Sequence, residues 1–241
     1  MKRNGKMESA IIDSIYLDES LEVRWYKPES FSPLYKYQLC IMQDGNDYFQ
    51  MGRIATLSDQ LHSDGEIQNT VFAGIHYRDR HDRIDKYYPD GKKHEAFLQF
   101  LLHEVLPVLE DDLPTLHMGA TRTLMGDSLA GTLSLVAALR FPHTFGGVVM
   151  QSPLVDEAVM REVRDAKQLD SLSIYHTIGT NETKVPTSFK KEMDFVEPNR
   201  SLQEYFSTKT VDYTYRELED ADHTWKYWQR DMKQVLTDVF G

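Results

Sequence analysis

The chain of 241 residues has one cysteine, Cys40. No intrachain disulfide can form, which fits a reducing compartment. Cys40 lies between Leu39 and the pair Ile41-Met42, and a thiol in so apolar a stretch is expected to be buried and inert. Positive charge is also scarce: 27 Lys and Arg against 38 Asp and Glu leave a net charge of −11, which repels nucleic acid and anionic membranes and excludes both as main partners. No apolar run approaches the ~20 residues of a membrane span. Lys2, Arg3 and Lys6 are followed only by Ala10-Ile11-Ile12, too short for the apolar segment of a signal peptide. A cytoplasmic location is expected. No internal repeat, low-complexity tract or linker breaks the chain, so residues 1–241 are read as one domain.

What is present is a regular alternation of short apolar runs and helix-like segments. Residues 8–17 and 21–27 read as strands of an N-terminal antiparallel hairpin, joined by Asp18-Glu19-Ser20. Strands are expected at Tyr37–Met42, Thr70–Tyr77, Arg122–Gly126, Gly146–Gln151, Leu172–Ile178 and Val211–Leu218. Helices are expected at His94–Leu109, bent or ended by Pro107, and at Ser128–Arg140, Asp156–Gln168, Ser201–Lys209 and Thr224–Phe240. Arg78 to Lys93 reads as a charged loop. From residue 37 onward strands alternate with helices. This pattern predicts an α/β fold: a mostly parallel central sheet with helices on both faces.

The segment Thr-Leu-Met-Gly-Asp-Ser-Leu-Ala-Gly, residues 123–131, carries the chemistry. Gly126 and Ser128 stand where an apolar strand gives way at once to a helix. A serine on such a turn exposes its hydroxyl above the sheet, and the free N–H groups of the helix N-terminus lie beside it. The usual pattern is G-x-S-x-G; Ala130 occupies the second glycine position and Gly131 follows.

A serine hydroxyl needs a base. In the chain order serine, acid, histidine, the base follows Ser128, which leaves His143, His176 and His223. His143 follows the helix after the turn, away from the serine, and His176 lies inside a strand. His223 lies in the loop between the last strand and the last helix, at the carboxyl edge of the sheet, where ligands bind in such folds. The acid is read as Glu182, after the strand and turn Ile178-Gly179-Thr180, with Asp156 and Asp220 as rivals. A carboxylate there fixes the histidine's tautomer. Two N–H groups are needed for an oxyanion: Leu129, next to the serine, and Asn46, in the turn Asp44-Gly45-Asn46. No metal site or cofactor is expected.

Four segments together resemble the putative-esterase family of α/β-hydrolases, which includes the esterase D group, enterobactin and bacillibactin esterases, feruloyl esterase domains and mycobacterial mycolyltransferases. They are Met42–Phe49, with its Asp-Gly; His103–Pro107, with its Glu-x-x-Pro; Gly126–Gly131; and Asp222–Trp228, with His-x-Trp-x-x-Trp. The resemblance implies the α/β-hydrolase fold, with Ser128 as nucleophile, His223 as base, Glu182 as acid, and Asn46 and Leu129 as oxyanion donors. Gly126-Asp127-Ser128-Leu129 also spells the GDSL motif, with Asp220 then replacing Glu182. In that family, however, the serine block opens the domain, and here core strands precede it.

The function expected is hydrolysis of small carboxylic esters, with siderophore-type esters as one resemblance-based candidate and Arg78, Arg80 and Arg83 as a possible cationic wall for an anionic ligand. Acyl transfer to an alcohol at the same site and a non-catalytic binding role are the alternatives. Access is expected to be set by Arg78–Lys93 and Thr183–Arg200. Nothing in the sequence sets an oligomeric state.

Overall fold

A computed structural model describes residues 3–187 and 192–241. Its strands β1 (Lys6–Ser14), β2 (Glu19–Lys27), β3 (Gln38–Met42), β4 (Thr70–Ile75), β5 (Arg122–Asp127), β6 (Gly147–Gln151), β7 (Ser173–Gly179) and β8 (Asp212–Leu218) form one sheet in the order β1-β2-β4-β3-β5-β6-β7-β8. β1 pairs antiparallel with β2, and β2 antiparallel with β4; all other pairs are parallel. The expected mixed sheet with an N-terminal hairpin is therefore present.

Strand periodicity divides the core. Leu39, Ile41, Val71, Ala73, Leu124, Val148 and Ile174 face one side. Their neighbours Cys40, Met42, Phe72, Met125, Val149 and Tyr175 face the other. Helices α1 (Gly45–Gln50), α2 (Ile54–Ser63) and α9 (Trp225–Phe240) cover the second side, through Tyr48, Ile54, Leu61, Met232, Leu236 and Phe240. The first side is covered by α6 (Ser128–Arg140), α7 (Glu157–Asp165), α8 (Val196–Ser207) and a long helical run before β5. Residues 129–139 of α6 are all buried, which suits a helix that is apolar on every face. Cys40 is fully buried, and burial pushes its thiol well up, so it stays protonated.

Several local expectations need correction. The segment Arg78–Lys93 is not all loop: α3 (Arg80–Tyr87) begins at Asp79, whose carboxylate accepts from His81 and Asp82 N–H. Its alternating charges hide the helix in the sequence, because the groups it buries are mostly polar. Lys86, 1% exposed, lies 2.7 Å from Asp82 and 2.6 Å from Glu19, which pins α3 to the hairpin. Pro107 does not end the helix at 94–109. The run continues as α4 (His94–Phe100), a π-helical turn at Leu101–Val105, and α5 (Leu106–Asp112). Pro107 falls directly after the π turn, where the Leu106 N–H bonds back to the Leu101 carbonyl, so the shifted hydrogen bonding lets the run pass a residue without an N–H. The π turn also presents Glu104, which accepts from Ile15 N–H in the hairpin turn at 2.8 Å. Helix α8 starts at Val196 rather than Ser201, with Pro198 in its first turn. No helix among the described residues is long and apolar enough to cross a membrane.

Candidate active site

β5 lies inside the sheet, and its last residue, Asp127, leads directly into α6. The turn is tight enough to place Ser128 at φ 52°, a left-handed conformation that costs a non-glycine residue about 1–3 kcal/mol. A Cβ on Gly126 would lie 2.2 Å from the Ala130 carbonyl carbon, so no side chain fits there. A Cβ on Gly131 would lie 2.9 Å from the Gly126 carbonyl oxygen. The crowded positions are thus Gly126 and Gly131, and the buried Ala130 is accommodated between them.

The structure brings three of the expected residues together. Ser128 Oγ stands 3.0 Å from His223 Nε2, and His223 Nδ1 stands 2.6 Å from Glu182 Oε2. Glu182 is buried, and its Oε1 accepts from the Gly179 N–H at 2.8 Å. A carboxylate can only accept, so Nδ1 donates to it, and Nε2 is left to accept the serine proton. Phe195 and Trp228 flank the imidazole, with ring centroids at 4.5 and 4.9 Å.

Among the described residues, His223 bonds to Glu182 and to neither rival acid. Asp156 caps α7 through Val159 N–H and accepts from the Tyr88 hydroxyl. Asp220 is an exposed turn residue at φ 54°. The other histidines are placed as expected. His143 follows α6, whose 13 residues separate it from Ser128 by about 20 Å of helix. His176 is buried in β7, with Nδ1 at 2.7 Å from the Tyr213 hydroxyl and Nε2 at 2.7 Å from Asn199 Oδ1.

A cavity of about 390 Å³ opens over the serine, lined by Arg80, Arg83, Ser128, Leu129, Leu154, Pro186, Thr187, Phe195 and His223. Both segments expected to set access contribute to its walls; residues 188–191 of the second lie outside the described residues. Leu129 sits in the first turn of α6, where N–H groups have no intrahelical acceptor. Asn46 does not line this cavity. It is in the first turn of α1, its side chain accepts from Arg24 at 3.3 Å, and it borders a separate hollow beside Arg24 and Phe49. The bend that carries β3 into α1 uses Asp44 at φ 57°.

Of the three arginines, Arg80 and Arg83 reach the cavity, while Arg78 is paired with Glu19, Asp79 and Asp82. Arg80 donates to the Thr187 carbonyl at 3.3 Å. Arg83 is held by Asp44, with N–O distances of 2.6 and 2.9 Å, and reaches the Asp127 carbonyl at 3.4 Å. Asp127 itself is buried beside the serine, and its Oδ1 meets no protein donor. Burial first, and the Asp44 charge next, push its carboxyl well above the usual range. Asp44 and Asp127 both stand in segments that the sequence marked for this site, but it gave neither a role, although an acid closing the apolar strand Leu124-Met125-Gly126 was the available signal. Among the described residues no group of His, Cys, Asp and Glu is arranged to hold a metal ion.

A model of the family described as Putative esterase matches residues 14–239. The chain belongs to this family. The uncharacterized protein YjcH of Bacillus subtilis (strain 168) is 42% identical over 227 residues, covering 94% of each chain. A ferulic acid esterase superposes with a TM-score of 0.79 at 17% identity, covering 99% of this chain and 98% of that one. The enterobactin esterase FES from Shigella flexneri, solved in the presence of enterobactin, superposes at 0.82 with 20% identity, covering 97% of this chain and 58% of that one. At such identities these structures speak for the fold, which is that of the α/β-hydrolases. The family resemblance read from the four segments is borne out. Within the fold, those segments are the exit of β3, the π turn, the β5–α6 turn and the start of α9.

Proposed function

We propose that the protein hydrolyses small carboxylic esters through an acyl-enzyme on Ser128. The observation that carries this reading is the unbroken chain of hydrogen bonds from Ser128 through His223 to Glu182, opening into a cavity at a strained strand-to-helix turn. Ser128 Oγ attacks the ester carbonyl as His223 Nε2 takes its proton. Glu182 steadies the resulting imidazolium through Nδ1. The carbonyl oxygen becomes an oxyanion, met by the Leu129 N–H at the start of α6. The tetrahedral adduct collapses, Nε2–H protonates the leaving alcohol, and the acyl group remains on Oγ. Water then attacks the acyl carbon and gives a proton to Nε2. Collapse of this second adduct returns the proton to Oγ and frees the acid. Ser128 and His223 carry every proton transfer with the ester and water, and Glu182 takes none.

The cavity wall narrows the substrate. Among the described residues Arg80 and Arg83 line it and no carboxylate does, although the chain as a whole carries a net charge of −11. Esters with an anionic group directed at Arg80 fit this wall, and siderophore-type esters fall within that class. The test is labelling of the purified protein with a fluorophosphonate probe beside Ser128→Ala and His223→Ala. Labelling confined to proteins with Ser128 and strongly reduced in His223→Ala supports the reading. A folded wild type that takes no label sinks it. A matched pair of neutral and carboxylate-bearing nitrophenyl esters, with and without Arg80→Gln, tests the anionic preference, and products formed with added alcohols separate hydrolysis from acyl transfer.

A further inference from the structure

Ser128 is not the only serine in a left-handed conformation at the carboxyl edge of the sheet. Ser152 follows β6, the strand next to β5, with φ 50°. It is 1% exposed and lines no part of the cavity over Ser128. A glycine would hold this backbone without strain, so the strained serine draws attention to its side chain.

That side chain is fully engaged. Ser152 Oγ lies 2.6 Å from Glu182 Oε1, and Trp228 Nε1 lies 3.0 Å from Ser152 Oγ. An indole N–H only donates and a carboxylate only accepts. The hydroxyl therefore accepts from Trp228 and donates to Glu182, which fixes its rotor. The backbone holds the residue too, with Ser152 N–H donating to the Thr177 carbonyl at 2.7 Å.

We propose that Ser152 is a positioning residue, whose hydroxyl, oriented by the Trp228 indole, locks the Glu182 carboxylate in the rotation that presents Oε2 to His223 Nδ1. The terminal torsion of a glutamate is soft. Two donors converging on Oε1, Gly179 N–H and the Ser152 hydroxyl, remove that freedom. Trp228 ties the arrangement together from the other end. Its ring stands edge-on to the His223 imidazole, at 82° and 4.9 Å, while its N–H holds Ser152. One residue in the first turn of α9 thus sets both the histidine and, through Ser152, the acid. The inference builds on the hydrolase reading for its kinetic consequence, but the geometry it asserts can be read without turnover.

Ser152→Gly removes the hydroxyl and relieves the backbone; Ser152→Ala removes the hydroxyl and keeps the strain. Both are expected to lower kcat about 10- to 100-fold with KM within about twofold, the scale on which a displaced catalytic group is felt. In proton NMR, the downfield resonance of His223 Nδ1–H is expected to shift or broaden in both variants. Trp228→Phe keeps a ring against His223 and removes only the donor, and a smaller change in the same two readouts is expected. Folded Ser152 variants with unchanged kcat and an unmoved resonance overturn the assignment. If they do not fold, Trp228→Phe decides by the same criterion. Failure of the hydrolase reading looks different: the wild type shows the Nδ1–H resonance but takes no fluorophosphonate label, and the effect of Ser152 on that resonance still tests the positioning role.

Discussion

His223 and His176 each hold two hydrogen bonds, yet their partners give them opposite chemistry. His223 faces the Glu182 carboxylate and the Ser128 hydroxyl, and its side chain is 16% exposed at the cavity. An imidazolium there has a buried counter-charge waiting for it. His176 is fully buried between the Tyr213 hydroxyl and the Asn199 carboxamide. Both N–H groups of that carboxamide are committed, to the carbonyls of Pro153 and Phe195. Its oxygen must therefore accept, so His176 Nε2 carries the proton and Nδ1 accepts from Tyr213. A second proton on His176 would face only neutral partners, and burial holds its pKa down at about 4. The difference teaches that position in the sheet does not fit a histidine to the base's part in the proposed reaction. A carboxylate behind it and an opening in front do.

The sharpest way to break the comparison is to remove what His223 has and His176 lacks. Ser128→Ala is expected to lower turnover by about 10⁶, because nucleophile and base act as a unit. Glu182→Gln leaves His223 between neutral partners, as His176 is. It is expected to cost about 10⁴ in kcat, through loss of the tautomer and of the counter-charge. Steady-state kinetics on an activated ester checks both. A Glu182→Gln enzyme within tenfold of wild type would show that the carboxylate is not what separates the two histidines.

Much of this contrast was legible in the sequence. Chain order left three histidines after Ser128, and His223 could be told from His176 by the loop it occupies. The apolar runs fixed the strands, because a strand buried on both faces needs no other signal. What stayed hidden was hidden for physical reasons. Helices α1, α2 and α3 are short, and α3 buries Lys86 and Asp82 as an ion pair, so hydropathy does not reveal it. Ser152 is one more serine after an apolar strand until its φ and its contact with Trp228, far along the chain, are seen. The Asn46 N–H was expected as an oxyanion donor from its place in the chain, and sequence could not say that Asn46 borders a separate hollow beside Arg24 and does not line the cavity.

His176 also makes the comparison testable in stability. Its native pKa of about 4 lies below the ordinary value of 6.5, so the unfolded chain takes up a proton first as pH falls. Stability from this residue is complete above about pH 6.5 and drains away between about 6.5 and 4, a loss of about 3 kcal/mol at most. Urea titrations at pH 7 and pH 5 should show that slope in the wild type, and His176→Gln should flatten it while lowering stability at pH 7. An equal slope in both proteins would mean that His176 accepts a proton in the native state and that the contrast with His223 is one of exposure alone.

Asp127 tests the same rule from the acid side, with a smaller effect. It is buried beside Ser128, and its neighbour Arg83 is paired with Asp44, so burial and the Asp44 charge outweigh what Arg83 offers it. With its native pKa raised by burial and by Asp44, the native state keeps a proton that the unfolded chain releases above about pH 4. Stability from this group therefore falls as pH rises from about 4 towards its native titration, the reverse of the His176 slope. Asp127→Asn keeps the shape and removes the titration. The variant should match wild type near pH 4 and gain on it towards pH 8, read as a rise in Tm that grows with pH. A fall in Tm at pH 8 would reverse the interpretation. It would mean that Arg83 needs both carboxylates charged, and that the turn carrying Ser128 rests on an ion-pair network in place of a neutral acid.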